Sequence, residues 1–341
     1  MTRRLPLSLT LSRTIAALAL AALAAASLAG CAAASAADSG DAGTVTIRIP
    51  DPGNAGSLAL GKKDGSLTRA LAAVGAKVEW TGTAGAFAPA ALALNANELD
   101  VATGSITSAI MALGQSPSFE LFAAAAPDDN GEGILVKDGS GIDTVKDLVG
   151  KKVAVWHGST SEYLLLKALD QAGISEDAVQ RVYLQPAQSA AVFHSGQVDA
   201  WATWSTFSTT ERAVQHEHFL VNGKQVGSQN YSVLAVRSAF AQQHPAVVRA
   251  LYDYVNAKDL DREKNPDPYI NVFRTSGPDA VTGAAVKLTA QEYRASHPLQ
   301  PIGAQQVADF AEVAKFYADR GITKGAVDVS KYVIDVTKLK G

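Results

Sequence analysis

The chain has 341 residues, 47% hydrophobic and 18% charged, with 30 basic against 33 acidic residues and a net charge of -3. A chain this apolar and weakly charged buries a core instead of staying disordered, and its length suits about two domains that need no disulfide or metal for stability. No Lys/Arg block lies beyond the extreme N-terminus, so the electrostatic footprint of a nucleic-acid-binding protein is missing.

Residues 1–30 hold Arg3, Arg4 and Arg13, no acid, and an apolar run from Thr14 to Leu28, the order of a secretory signal peptide. That run is shorter than the roughly 20 apolar residues a transmembrane helix needs, so cleavage is expected. The sequence Leu28-Ala29-Gly30-Cys31 resembles the bacterial lipobox, which implies lipidation at Cys31 and anchoring to a membrane. Cys31 is also the single cysteine of the chain and has no disulfide partner. Two or more acyl chains on it give stable anchoring where one would be reversible. Loss of the leader leaves 27 basic against 33 acidic residues, a net charge of -6. Residues 31–43, rich in Ala, Ser, Gly and Asp, read as a flexible tether.

From Thr44 the chain alternates to Ile49 and turns at Pro50-Asp51-Pro52-Gly53, a strand followed by a loop. Lys151 to Trp156, ending in His157-Gly158-Ser159-Thr160, repeats that plan. Each is followed by an amphipathic stretch, Leu67–Val74 and Tyr163–Ala172, and by another strand, Lys77–Trp80 and Val179–Leu184. Laying Asp100 on Asp199 extends the parallel, with residues 97–102 falling on residues 196–201. Strands alternating with helices at this spacing need crossover connections, which predicts two α/β lobes, each a mostly parallel sheet flanked by helices. The lobes are expected at residues 44–135 plus 232–341 and at 136–231. Two crossings, near Gly133–Lys137 and Tyr231–Arg237, would make a hinge that lets the lobes close on a ligand. Helical pattern is expected over Ser238–Lys258, with Pro245 near a helix start, over Asp279–Tyr293 and over Ala304–Arg320, the last stopped by Gly321.

The common catalytic motifs are missing: no phosphate loop, no dinucleotide fingerprint, no nucleophile elbow and no His-Glu-x-x-His. His216 and His218 offer two metal nitrogens without a third ligand nearby in sequence, in what reads as a solvated polar helix end. His157 suits loop orientation or ligand contact better than acid–base chemistry. Strand ends carry more information, because open sheets hold ligands outside them, where helix N-termini point. Four loops qualify: residues 51–57, Thr103-Gly104-Ser105, Gly158-Ser159-Thr160 and Thr203-Trp204-Ser205. Glycine lets backbone approach a ligand, while hydroxyls, backbone N–H groups and the helix dipole favour an anion. Plain helix capping also explains them, and Ser159 with Glu162 fits a capping box. Trp201 and Trp204, three apart on a strand, should face opposite sides, so one of the two rings would reach a ligand.

These segments, together with Lys77–Trp80, Gly133–Val136, Gly150–Val155 and Phe240–Ala250, resemble the aliphatic sulfonate, taurine and nitrate-binding proteins of ABC importers over about 44–337. The resemblance implies a two-lobed periplasmic-binding-protein-like fold of type II that binds a small anionic solute, performs no chemistry, uses no cofactor or metal and docks on permease transmembrane subunits. It implies a monomer held by Cys31 on the outer face of a bacterial cytoplasmic membrane. Matching positions carry over Gly104, Ser105, Ser159, Thr160, Trp201, Trp204 and Tyr231; the strand-end loops add Asp51 and Gly158. Three departures stand out: Trp204-Ser205-Thr206-Phe207 replaces a frequent Trp-Asp-Pro-Phe, Glu162 stands where many members have histidine, and the Pro50–Gly56 loop is unfamiliar. Two other functions remain open. One is reception of a thiamine pyrimidine precursor, with Trp201 or Trp204 stacking on a ring. The other is a desulfinase-type enzyme, which needs a cleft cysteine that Cys31 cannot supply.

Overall fold

In the computed structural model, residues 44–82, 86–128, 130–214 and 217–340 are described. Cys31, the leader, the tether and His216 lie outside them. The chain opens with β1 (Val45–Pro50), α1 (Ser57–Asp64), α2 (Ser66–Ala72), β2 (Ala76–Thr81), α3 (Phe87–Asn95), β3 (Val101–Ser105), α4 (Ile106–Leu113) and β4 (Phe119–Ala125). A second run follows: β5 (Glu132–Lys137), β6 (Lys152–Val155), α5 (Thr160–Gln171), β7 (Gln180–Tyr183), α6 (Pro186–His194), β8 (Ala200–Trp204), α7 (Ser205–Val214), β9 (Glu217–Asn222) and α8 (Gly223–Val226). The chain then returns through β10 (Ser232–Arg237) to α9 (Ser238–Gln243), α10 (Pro245–Lys264), α11 (Ala284–Ala295) and α12 (Ala304–Asp319).

The strands form β1-β2, β3-β10-β4 and β7-β6-β8-β5-β9 sheets. β1 pairs with β2, and β6 with β7 and β8, in parallel, as βαβ units must. The expectation of mostly parallel sheets is corrected by β10 and β5. β10 lies between β3 and β4, and β5 between β8 and β9, antiparallel to both neighbours. Each is the strand by which the chain enters a sheet from the other one. With no crossover helix to reverse it, such a strand runs against its neighbours. Both carry a register shift, at Leu234/Ala235 and Ile134/Leu135, which adds local twist.

The first crossing therefore lies between Ala125 and Glu132. It precedes Gly133–Lys137, which is β5 itself. Residues 132–135 thus belong to the five-stranded sheet, and the return runs through residues 227–231. The predicted polar helix end at Val214–His218 is also revised, since β9 starts at Glu217.

Helix α5 shows how the pattern builds the core. Leu164, Leu165, Ala168 and Leu169 recur on one face and pack with Ile134, Val136, Ala200 and Ala202 of the sheet. Each fully buried leucine contributes about 1.5–3 kcal/mol. Within Ser238–Lys258 a new helix starts at Pro245, as expected, because proline cannot donate within a helix, and Gly321 at φ +66° follows the end of α12 as expected. Helix α11 touches more than the first-lobe helices: Glu292 accepts from Thr209 Oγ1 at 2.6 Å and pairs with Arg212 at 3.1 Å, both on α7. Burial pushes the Glu292 carboxyl up to about 7 despite these partners.

Candidate functional site at the strand ends

At the end of β6, Ser159 caps α5. Its Oγ accepts from Ser161 N at 3.3 Å and donates to the Trp156 carbonyl at 2.6 Å. Glu162 misses the expected capping-box partner by one residue. It accepts from Gly158 N at 2.7 Å and from Tyr183 Oη at 2.7 Å, with His157 Nδ1 at 2.9 Å and Arg181 at 3.4 Å beside it. A fully buried carboxylate thereby fixes the turn before the helix. Gly158 is required twice over, at φ +62° and with a would-be Cβ 2.8 Å from Met111 Cγ of α4. Gly104 has the same steric reason, since a Cβ there would lie 2.5 Å from the Phe87 ring.

Thr160 meets the other lobe. Asn230, in the return crossing, donates from Nδ2 to Thr160 Oγ1 at 2.9 Å and to Glu132 Oε2 at 3.0 Å, and its Oδ1 accepts from Thr107 Oγ1 at 2.9 Å. Thr107 in turn lies 2.8 Å from Ser105 Oγ. One buried amide thus links the end of β3 to the start of α5, and three of its four hydrogen-bonding capacities are used. Tyr317 of α12 adds a 3.1 Å bond to the Ser159 carbonyl.

The remaining predicted residues are dispersed. Trp201 is corrected: it is 2% exposed among Leu135, Ala154 and Phe193, a core ring with no face for a ligand. Trp204 is half-buried at the strand end, and its ring and that of Trp201 each lie 6.2 Å from Phe207. Ser205 beyond it holds φ +49°, a left-handed conformation that costs a non-glycine residue about 1 kcal/mol or more. Its N–H bonds the Gly131 carbonyl at 2.8 Å and Ser208 Oγ bonds the same oxygen at 2.7 Å, which holds the turn. The Tyr231 hydroxyl is committed to Asp309 at 2.6 Å, and burial with that carboxylate pushes it up to about 12.

Asp51 pairs with Lys62 at 2.5 Å and accepts from Gly53 N, and the Lys62 bond holds its carboxyl below the ordinary range. It also borders a first-lobe cavity of about 390 Å³, with Thr81, Gly82, Ala90, Glu98 and Thr103 on the wall. Asn230 and Glu132 escaped the sequence reading because nothing about a lone Asn in Ser228-Gln229-Asn230-Tyr231 marks it as buried. Its place at a crossing between strands was the available signal.

Two lobes, each entered by a strand antiparallel to both its neighbours and linked through Asn230 from the end of β3 to the start of α5, define a type II periplasmic-binding-protein fold. The alkanesulfonate-binding protein SsuA from Xanthomonas axonopodis pv. citri bound to MOPS superposes with a TM-score of 0.78 at 25% identity, over 86% of this chain and 99% of that one. An Escherichia coli (strain K12) protein named as an aliphatic sulfonates-binding protein is 28% identical over 250 residues, 73% of this chain and 77% of that one. The taurine-binding periplasmic protein of the same organism is 31% identical over 176 residues, 50% of this chain and 54% of that one. The NMT1/THI5-like family model matches residues 88–257.

Proposed function

We propose that this protein is the solute receptor of an ABC importer, binding a small organosulfonate or related oxyanion between its strand ends without transforming it. Thr81, Thr103 and Ser105 from one lobe, with Thr160 and Trp204 from the other, surround the ligand in this reading. Their neutral hydroxyls favour an anion that must be released again. Glu98 on the cavity wall offers an ammonium partner, which suits an aminosulfonate better than an inorganic oxyanion. The observation that carries the reading is the match to SsuA over nearly all of that chain. The capping role of Ser159 and the ordered Asn230 link support a rigid frame around the site.

We further propose export, cleavage before Cys31 and lipid anchoring on the outer face of the membrane, where a monomer meets the permease. Cys31→Ser should release the protein from the membrane fraction; unchanged association contradicts the anchor. A thermal-shift screen of taurine, ethanesulfonate, MOPS, nitrate, bicarbonate and a pyrimidine tests the ligand class. At a hundredfold excess over Kd, binding adds about 2.7 kcal/mol and raises Tm by several degrees. A shift with the pyrimidine alone favours the receptor of a thiamine precursor, for which the half-buried Trp204 ring is the available stacking surface.

A further inference from the structure

His194 closes α6, Glu211 stands in the last turn of α7 and Glu217 opens β9, so three separate elements deliver side chains to one point. A ring nitrogen of His194 and a carboxylate oxygen of each glutamate all lie within 4.8 Å of one another. His194 Nε2 is 2.6 Å from Glu211 Oε2. Glu211 and Glu217 are 5% and 7% exposed, whereas the His194 ring reaches solvent. Glu217 Oε2 is buried and receives no hydrogen bond from any described residue.

Two carboxyls buried side by side need a shared proton or a counter-charge. Lys137 lies nearby, but its Nζ is bonded to the His194 carbonyl at 2.9 Å and sits 5.5 Å from the Phe193 ring. A proton neutralises one carboxylate. A divalent cation neutralises both and also uses the imidazole nitrogen.

We propose that His194, Glu211 and Glu217 form a divalent-cation site, apart from the strand-end cleft, whose donor set suits zinc. One imidazole nitrogen and two carboxylate oxygens match zinc's preference, with bonds of about 2.0–2.2 Å and water in the fourth position on the solvent side of His194. Tetrahedral donors at such bond lengths stand about 3.4 Å apart. The 2.6 Å His194–Glu211 contact must open and the wider separations must close, within reach of side-chain rotation. Calcium and magnesium, which take six or more oxygens, fit poorly. The bound ion would tie α6 and β9 to α7, whose first turn follows Trp204.

Zinc titration of untagged, chelator-treated protein tests this, followed by calorimetry and by metal analysis after dialysis. One zinc per chain is expected, with micromolar or tighter affinity. His194→Gln and Glu217→Gln should each weaken it at least tenfold, while His218→Ala, which removes the exposed ring 2.8 Å from Asp138, should leave it unchanged. Cobalt in place of zinc should give the visible bands of a four-coordinate nitrogen–oxygen site. Because His194 is exposed, its variant keeps the test valid if Glu217→Gln fails to fold. Binding only at millimolar zinc, or binding equally tight in His194→Gln, overturns the site and leaves a carboxyl pair sharing a proton.

Discussion

In the first lobe, Asp100 N donates to the Arg48 carbonyl at 3.0 Å while its own carboxylate accepts from Arg48 N at 2.9 Å. In the second, Asp199 N donates to the Lys152 carbonyl at 2.8 Å and its carboxylate accepts from Lys152 N at 2.8 Å. Each clamps β3 or β8 to the first strand of its βαβ unit, β1 or β6. The surroundings differ. Asp100 is 1% exposed and pairs with Arg48 at 2.8 Å and Arg237 at 2.7 Å, whereas Asp199 is exposed. The shared device is topological; only in the first lobe is it reinforced by charge, and there it also gathers β1, β3 and the returning β10.

The comparison breaks most visibly at Asp100. Asp100→Asn strands two guanidinium groups and should cost about 3–5 kcal/mol by denaturant unfolding. Asp199→Asn should cost about 1 kcal/mol, the loss of one charge-assisted backbone bond. Near-equal losses would mean that the arginines add nothing. Burial pushes the Asp100 carboxyl up, but the Arg48 and Arg237 bonds outweigh it and hold the group below its ordinary range. Its contribution is therefore complete above about pH 4, the ordinary carboxylate value, and is lost as pH falls from there through the depressed value. Wild type should lose this increment on acidification below about pH 4, and Asp100→Asn should lose correspondingly less.

The two tryptophans sharpen the same contrast within one strand. Trp201→Ala empties a core site and should cost about 3–5 kcal/mol of stability with little effect of its own on the ligand contacts. Trp204→Ala should cost under about 2 kcal/mol and weaken ligand binding, measured by titration on the folded variant. A Trp204 variant with unchanged affinity removes that ring from the site. Ser159→Ala has the smallest expected effect, about 1 kcal/mol of stability from the lost cap, with affinity kept within twofold.

The βαβ plan, the Asp100–Asp199 correspondence and most helix positions were legible because they rest on local periodicity and on matching local strings. Strand alternation suggested that one of Trp201 and Trp204 would be buried, but alternation cannot say which ring goes inward. The strands β5 and β10, entered directly after the crossings, were not legible as antiparallel insertions: Gly133–Val136 is an apolar run like any buried strand, and its partners are set by the chain's arrival from another sheet. Strand-end glycines suggested backbone approach to a ligand, whereas Phe87 and Met111 supply the crowding at Gly104 and Gly158. Asn230 bonds Thr107 and Glu132, 123 and 98 positions away along the chain, and no local pattern encodes that convergence.

Isothermal titration of the wild-type protein with taurine, ethanesulfonate and MOPS tests the central claim most directly. Taurine has about seven non-hydrogen atoms, and a ceiling near 1.5 kcal/mol per atom limits binding to roughly 10 kcal/mol. At least one of the three sulfonates should therefore bind at one site per chain, with Kd between tens of nanomolar and about ten micromolar. Silence with all three at millimolar concentration, in protein shown to be folded, would contradict the account.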